Sequence, residues 1–89
     1  MRTIKRYSNR KLYDTKARHY VTLADVASFV RQGDDVQVTD YVTSADLTAQ
    51  TLAQIIFEEE KKAPRIGADV LRKIIQVGLP NAPSEQQQP

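Results

Sequence analysis

The stretch Thr3-Ile-Lys-Arg-Tyr-Ser-Asn-Arg-Lys-Leu-Tyr-Asp14 decides the fold of the N-terminal part of this chain. Its first part, residues 3–7, has the composition of a β-strand, and Ser8-Asn9 is a pair of turn-forming residues. Residues 11–14 can then pair back on the first strand. The pattern predicts a short β-hairpin at the start of the chain.

A polar loop is predicted over residues 15–18 and a third extended piece over 19–22. A helix follows them. Thr22-Leu-Ala-Asp25 fits a capping box, in which a hydroxyl and an acid three residues later satisfy the first N–H groups of a helix. Apolar residues then recur with the period of one helix face: Leu23, Val26, Ala27 and Val30. Because Gly33 suits a left-handed C-cap, a helix is predicted over 23–32.

The middle of the chain carries a strand signal and then a helix signal. Valines alternate with polar residues over 35–42, which predicts a half-buried strand that bulges or ends near Asp40. Either Asp46 or Thr48 can cap a second helix, which we predict over 48–62.

A third helix and a polar tail end the chain. The helix is predicted over 67–77, and residues 80–89 cannot bury a core and are expected to be disordered. The order of strands, helix, strand, helix and helix lacks a βαβ rhythm, so the predicted fold class is α+β. A chain of 89 residues buries little surface on folding, and an intertwined or helix-packed homo-oligomer is therefore expected.

Positive charge is concentrated at the N-terminus. Residues 1–18 hold seven bases against the single acid Asp14, a net charge of +6, whereas residues 19–89 have a net charge of −4. Such a basic end suits a polyanion such as nucleic acid, an anionic membrane surface or a nucleotide. A solvated charged hairpin is the alternative that involves no ligand.

Several classes of function have no support in the composition. The chain has no cysteine, and its one histidine, His19, lacks a partner for a metal or catalytic site. No phosphate-binding glycine-rich loop and no membrane-length apolar run are present. We expect a cytoplasmic protein that is not an enzyme, uses no cofactor or metal and does not insert into membranes.

The string Lys5-Arg-Tyr-Ser-Asn-Arg-Lys-Leu-Tyr-Asp-Thr15 resembles the bacterial polyhydroxyalkanoate synthesis (accumulation) regulators, in their N-terminal DNA-binding domain. Tyr20-Val-Thr-Leu-Ala-Asp-Val-Ala27 and Leu52-Ala-Gln-Ile-Ile-Phe-Glu-Glu59 are also similar to that family. The resemblance implies a transcriptional regulator, typically a repressor, of carbon-storage polymer genes. It implies double-stranded DNA as a partner, with a polymer granule or a small effector as a further one. The expected organisation is a DNA-binding domain over 1–62, an additional packing or oligomerisation helix over 63–79 and the tail.

Arginine, lysine and asparagine side chains are the ones that contact phosphates and purine edges, and a two-stranded ribbon fits the major groove of DNA. The predicted DNA-binding residues are therefore Arg2, Lys5, Arg6, Tyr7, Asn9, Arg10, Lys11, Lys16 and Arg18. Some of these residue types have structural alternatives. The tyrosines can form the hairpin's own small core, Asn9 can be only a turn former, and Asp14 is expected to pair with a base of the same chain.

The apolar stripes of the second and third helices are wider than one small partner surface covers. They predict an oligomer interface formed by Leu52, Ile55, Ile56, Leu71, Ile74 and Ile75, in a homodimer or homotetramer. An alternative function is an oligomerising interaction module whose basic end binds an acidic partner. The four-residue spacing of Arg2, Arg6 and Arg10 also leaves a cyclic dinucleotide open as its ligand.

Overall fold

The computed structural model describes residues 1–78, and the tail predicted to be disordered lies outside them. Two compact units divide the chain, the first spanning Met1–Glu59 and the second beginning at Glu60. The elements are three short strands, β1 (Arg2–Arg6), β2 (Leu12–Asp14) and β3 (His19–Val21), then α1 (Leu23–Arg31), β4 (Val36–Asp40), α2 (Thr48–Lys62) and α3 (Ala68–Val77). The α+β prediction is confirmed. Within residues 1–78, no helix has both the length and the apolar character needed to cross a membrane.

The four strands form one sheet in the order β3-β2-β1-β4. The predicted hairpin of β1 and β2 is antiparallel, with Lys5 opposite Tyr13 and Arg6 opposite Leu12. β4 lies on the other side of β1 and runs parallel to it. This parallel pair was not predicted from the sequence. In the structure α1 connects β3 to β4, which lie at opposite edges of the sheet, and β4 pairs with β1.

One face of the sheet packs against helices. The core contains Ile4 and Leu12 of the hairpin, Val36 and Val38 of β4, and residues of α1 and α2: Val26, Ala27 and Ile55. These strand positions alternate with the polar and aromatic residues of the opposite face, as the two-residue period of a strand requires. The opposite face, which we call the open face, is therefore formed by the intervening residues.

Local capping signals position α1 and α2. The Thr22 hydroxyl accepts from the Asp25 N–H at 3.1 Å, and the Asp25 carboxylate accepts from the Thr22 N–H at 2.9 Å, which confirms the capping box. At the start of α2 the Asp46 carboxylate accepts from the Thr48 N–H. The Thr48 hydroxyl instead accepts from the Val38 N–H at 2.9 Å, so it ties the first turn of α2 to β4.

The second unit contains a capped connection and α3. The Glu60 carboxylate accepts backbone hydrogen bonds from Arg65 at 2.8 Å, Ile66 at 3.1 Å and Gly67 at 3.3 Å. Hydrogen bonds from the N–H groups of Arg65 and Ile66 hold the pKa of Glu60 below its ordinary value. No residue of α3 is buried.

Candidate nucleic-acid interface

The loop between β1 and β2 displays basic side chains at one end of the sheet. The Tyr7 N–H donates to the Lys11 carbonyl at 2.9 Å, and the Arg10 N–H donates to the Tyr7 carbonyl at 2.8 Å, which leaves a three-residue loop. The Asn9 side chain accepts from the Lys11 N–H at 3.0 Å, so Asn9 serves as a turn former. Arg10 has a φ of 67°, in the left-handed region that favours glycine or asparagine.

A second basic loop lies at the opposite end. The Arg18 N–H donates to the Asp14 carbonyl at 2.7 Å, and Arg18 also has a left-handed φ, of 63°. The Lys16 N–H donates to the Asp14 carboxylate at 2.9 Å. Since β2 runs from Leu12 to Asp14, only about 7 Å of strand separates the two loops. Lys16 and Arg18 thus lie at the other end of β2 from Arg10, and the sheet carries bases at both ends.

The open face connects these two ends. Its strand positions are Thr3 and Lys5 of β1, Tyr13 of β2, Tyr20 of β3, and Gln37 and Thr39 of β4, as the pairing register requires. Lys5 lies at the centre, between Tyr13 and Thr39. Within the described strands, none of these positions holds a carboxylate. Acids lie at its margin: Asp46 is bridged to Thr39, and Asp35 directly precedes β4.

All four tyrosines of the chain gather on this face. Tyr7 stacks on Tyr41 with ring centroids 4.2 Å apart, and it meets Tyr20 edge-on at 6.1 Å. Tyr13 meets Tyr20 edge-on at 5.5 Å, and the Lys11 ammonium lies 5.4 Å from the Tyr20 ring. The tyrosines thus pack on one another, away from the helices, as the structural alternative anticipated.

The Tyr7 hydroxyl remains a hydrogen-bond donor at neutral pH. Desolvation, followed by the neighbouring Tyr41 and Tyr20, raises the pKa of the Tyr7 hydroxyl above its ordinary value. Tyr20 and Tyr41 are each more than half exposed. This face can therefore offer phenol and ammonium donors to an anionic ligand.

Arg2, one of the residues predicted to contact DNA, forms ion pairs within the chain. Its guanidinium forms an ion pair with the fully buried Asp14 and a second one with Asp34, at 3.0 Å. The same group lies 4.0 Å from the centre of the Phe29 ring. The expectation that Asp14 pairs with a base of the same chain is confirmed. Because Arg2 is held by two carboxylates, the series of Arg2, Arg6 and Arg10 does not converge on one ligand.

Arg6 lies on the helix side of the sheet, with Asp40 beside it in the parallel register. The Asp40 carboxylate accepts backbone hydrogen bonds from Val42 at 2.8 Å and Thr43 at 3.0 Å. Those bonds, that from Thr43 first, hold the pKa of Asp40 below its ordinary value, and the charge of Arg6 acts in the same direction. This hydrogen-bonded turn ends β4 at Asp40, as the interrupted alternation predicted.

A family model, described as the PHB/PHA accumulation regulator DNA-binding domain, matches residues 3–63. The chain belongs to this family. Its function class is therefore DNA binding by a regulator linked to polyhydroxyalkanoate accumulation, a class that is not enzymatic.

Two bacterial relatives are similar to this regulator domain over 75 residues, 83% of the chain. One, an uncharacterised protein of Allochromatium vinosum, is 44% identical, and the match covers 49% of its length. The other, from Thiocystis violacea, is described as an uncharacterised protein in the phbA 5′ region; it is 43% identical over 54% of its length. The chain thus spans about half the length of these relatives. No solved structure gives a significant match.

The apolar residues predicted to form an oligomer interface divide into two groups. Ile55 is buried in the core and Leu52 packs against it, so Ile55 presents little surface to another subunit. Ile56 on α2, and Ile74 and Ile75 on α3, are between 45% and 67% exposed, and Leu71 on α3 is half-buried.

Sequence reasoning missed part of the open face. Thr3, Gln37 and Thr39 were not among the predicted site residues, although the alternation of β4 already placed Gln37 and Thr39 on one side. The missing information was the pairing of β4 with β1, which brings them beside Lys5. The Thr39 hydroxyl is buried without a hydrogen-bond partner within the described residues.

Proposed function

We propose that this domain is a cytoplasmic repressor that binds double-stranded DNA across the open face and the two basic loops. The observation that supports it best is the position of Lys5 on a carboxylate-free sheet face, flanked by bases at both ends. Family membership gives the function class, and the positive charge of this face is complementary to the negative charge of DNA.

The hairpin lies in the middle of the four-stranded sheet, so it meets DNA together with β3 and β4 and not as a separate two-stranded ribbon. Four strands about 4.8 Å apart make a face about 14 Å across, against about 12 Å for the major groove, so side chains that project from the face enter the groove and the strands do not. With β1 and β2 against the groove, Lys5 faces the base edges, while Arg10 and Lys11 at one end and Lys16 and Arg18 at the other reach the flanking phosphates. Tyr20 and Tyr41 donate hydrogen bonds to phosphate from the same surface.

A homo-oligomer is part of the proposal. Val70, Ile74, Ile75 and Val77 of α3 are each at least 47% exposed, and α1 and α2 enclose an apolar groove of about 300 Å³. Exposed apolar surface of this kind is typical of subunit interfaces. A twofold dimer or a tetramer would present two open faces to two half-sites of an operator.

Fluorescence anisotropy of the chain on DNA tests the proposal. One duplex comes from the promoter of a polyhydroxyalkanoate gene, the other has the same composition in scrambled order, and each is titrated at two salt concentrations. We expect tighter binding to the promoter duplex and weaker binding at the higher salt. Absence of binding to both duplexes at low salt would contradict the proposed function.

A further inference from the structure

A recess on the helix side of the hairpin is separate from the open face. It has a volume of about 280 Å³ and is lined by Arg6, Arg10, Leu12, Leu23, Thr51 and Gln54. All of these residues belong to the first compact unit. Leu12 and Thr51 are more than nine-tenths buried, so they form its floor.

Two arginines line this recess, and neither has a carboxylate bound to it within residues 1–78. Among residues 1–78, neither Arg6 nor Arg10 forms an ion pair. Arg6 interacts electrostatically with Asp40, but the Asp40 carboxylate already accepts hydrogen bonds from the backbone N–H groups of Val42 and Thr43. Arg10 also lines the recess. Its backbone has a left-handed φ, a conformation in which glycine is favoured over arginine. Both cations are therefore available to an anion.

The remaining polar groups also favour a ligand that accepts hydrogen bonds. The Gln54 amide can donate from α2, whereas the Thr51 hydroxyl already donates to the Leu47 carbonyl at 2.7 Å. Guanidinium groups donate in a fixed fork that matches the oxygens of phosphate. Leu12 and Leu23 supply an apolar wall beside these donors.

We propose that this recess binds the terminal phosphate group of a small metabolite. A phosphodiester of the DNA backbone carries a nucleoside on both sides, which hinders its approach to the floor formed by the buried Leu12 and Thr51. A phosphate monoester has one free end and can reach it. A volume of about 280 Å³ lies at the lower end of the range for drug-sized ligands, about 300–1,000 Å³, which favours a small ligand.

Phosphate in the recess would act on DNA binding through Arg10. This coupling rests on the proposed function, since Arg10 belongs both to the recess and to the loop placed near the DNA backbone. A bound phosphate neutralises Arg10 and holds its side chain on the helix side. DNA affinity therefore falls when the recess is occupied.

Titration of the isotopically labelled chain, followed by amide chemical shifts, tests the site without DNA. Methyl phosphate is the monoester probe, dimethyl phosphate is the diester, and sodium chloride at equal ionic strength is the blank. We expect saturable shifts at Arg10, Leu12 and Gln54 with methyl phosphate, and at least about tenfold weaker binding of dimethyl phosphate. Equal binding of the two esters would assign the site to backbone phosphate, and shifts no larger than those with chloride would remove the site altogether.

A pair of variants tests the site: one places a negative charge in the recess, and the other places the same charge outside it. Gln54→Glu should weaken methyl phosphate binding by at least about tenfold, because a carboxylate repels phosphate at short range. Gln50→Glu adds the same charge one turn earlier on α2, at a position that is exposed like Gln54 but does not line the recess, and it should retain binding. Equal losses in the two variants would overturn the assignment.

DNA affinity is then measured with and without methyl phosphate at constant ionic strength, each variant being compared with its own phosphate-free value. We expect methyl phosphate to weaken DNA binding of the parent chain and of Gln50→Glu, but not of Gln54→Glu. Phosphate binding without any effect on DNA affinity would overturn the coupling alone. Failure to bind DNA at all would contradict the proposed function and leave the phosphate titration as an independent test.

Discussion

The guanidinium of Arg2 and the carboxylate of Asp14 form an ion pair on the helix side of the sheet, with Asp14 fully buried. Removing one partner of a buried pair leaves an uncompensated charge, which typically costs about 3–5 kcal/mol. Arg2→Ala should therefore lower the free energy of unfolding by about that amount, measured by urea denaturation.

An exposed pair is the control for this prediction. Arg72 and Asp69 are a surface ion pair one turn apart on α3, and such pairs contribute little. Asp69→Ala should leave the urea midpoint unchanged. An Arg2→Ala variant as stable as the parent chain would show that the ion pair of Arg2 with Asp14 does not contribute to the free energy of unfolding.

The left-handed conformation of Arg10 predicts opposite effects on stability and DNA binding. Glycine at a φ of 67° relieves a conformational cost of about 1–2 kcal/mol, part of which is offset by its greater entropy when unfolded. Arg10→Gly should therefore raise the free energy of unfolding by about 0.5–1 kcal/mol while weakening DNA binding.

Arg10→Ala separates the charge from the backbone. It removes the guanidinium but keeps the left-handed cost, so it should weaken DNA binding as much as Arg10→Gly without the gain in stability. Thermal unfolding and anisotropy on the same preparations give both quantities. If the two variants unfolded at the same temperature, the strain assigned to Arg10 would be wrong.

The capped connection before α3 should respond to acid. Three backbone N–H groups donate to Glu60, and the pKa of this carboxyl is lowered. A lowered pKa in the folded chain means that the stabilisation is present above the unfolded value, about 4.3, and is lost as the pH falls through the folded pKa.

Backbone chemical shifts of residues 65–67 between pH 7 and pH 3 measure this loss. They should move toward random-coil values with a midpoint below the ordinary glutamate pKa. In Glu60→Gln the transition should be absent, because the amide does not titrate over this range. A midpoint at or above the ordinary value in the parent chain would contradict the assigned hydrogen bonds.

Self-association should depend on the exposed apolar side chains of the helices. Ile74→Glu places a charge on the apolar side of α3, and it should reduce the sedimentation mass toward that of one chain. Lys73→Glu, a charge change at an exposed neighbouring position, should retain the mass of the parent chain. A parent chain that sediments as a monomer at high micromolar concentration would exclude this part of the proposal.

Local signals in the sequence predicted the helices well, because their causes lie within a few residues. The Thr22–Asp25 capping box and the bounds of α2 are examples. Long-range contacts were not accessible in the same way. The ion pair of Arg2 with Asp34 joins residues 32 positions apart, and the parallel pairing of β4 with β1 depends on the path of α1.

The candidate site shows the same division. The concentration of bases in residues 1–18 identified the segment, and strand alternation separates Lys5 from Arg2 and Arg6. The structure adds which of the two faces packs against the helices, namely the one that carries Ile4. Helix periodicity likewise identified the apolar stripe of α2. It did not tell that Ile55 packs in the core while Ile56 remains exposed.

The most direct test of DNA binding by the open face is the salt dependence of DNA affinity in a double variant, Lys5→Ala with Lys11→Ala. Each phosphate contact contributes about −0.9 to the slope of log affinity against log salt concentration. We predict a weaker affinity and a slope smaller in magnitude by about 0.9 for each lysine that contacts phosphate, with Lys73→Ala unchanged. An unchanged affinity and slope in the double variant, or an equal loss in Lys73→Ala, would contradict DNA binding by this face.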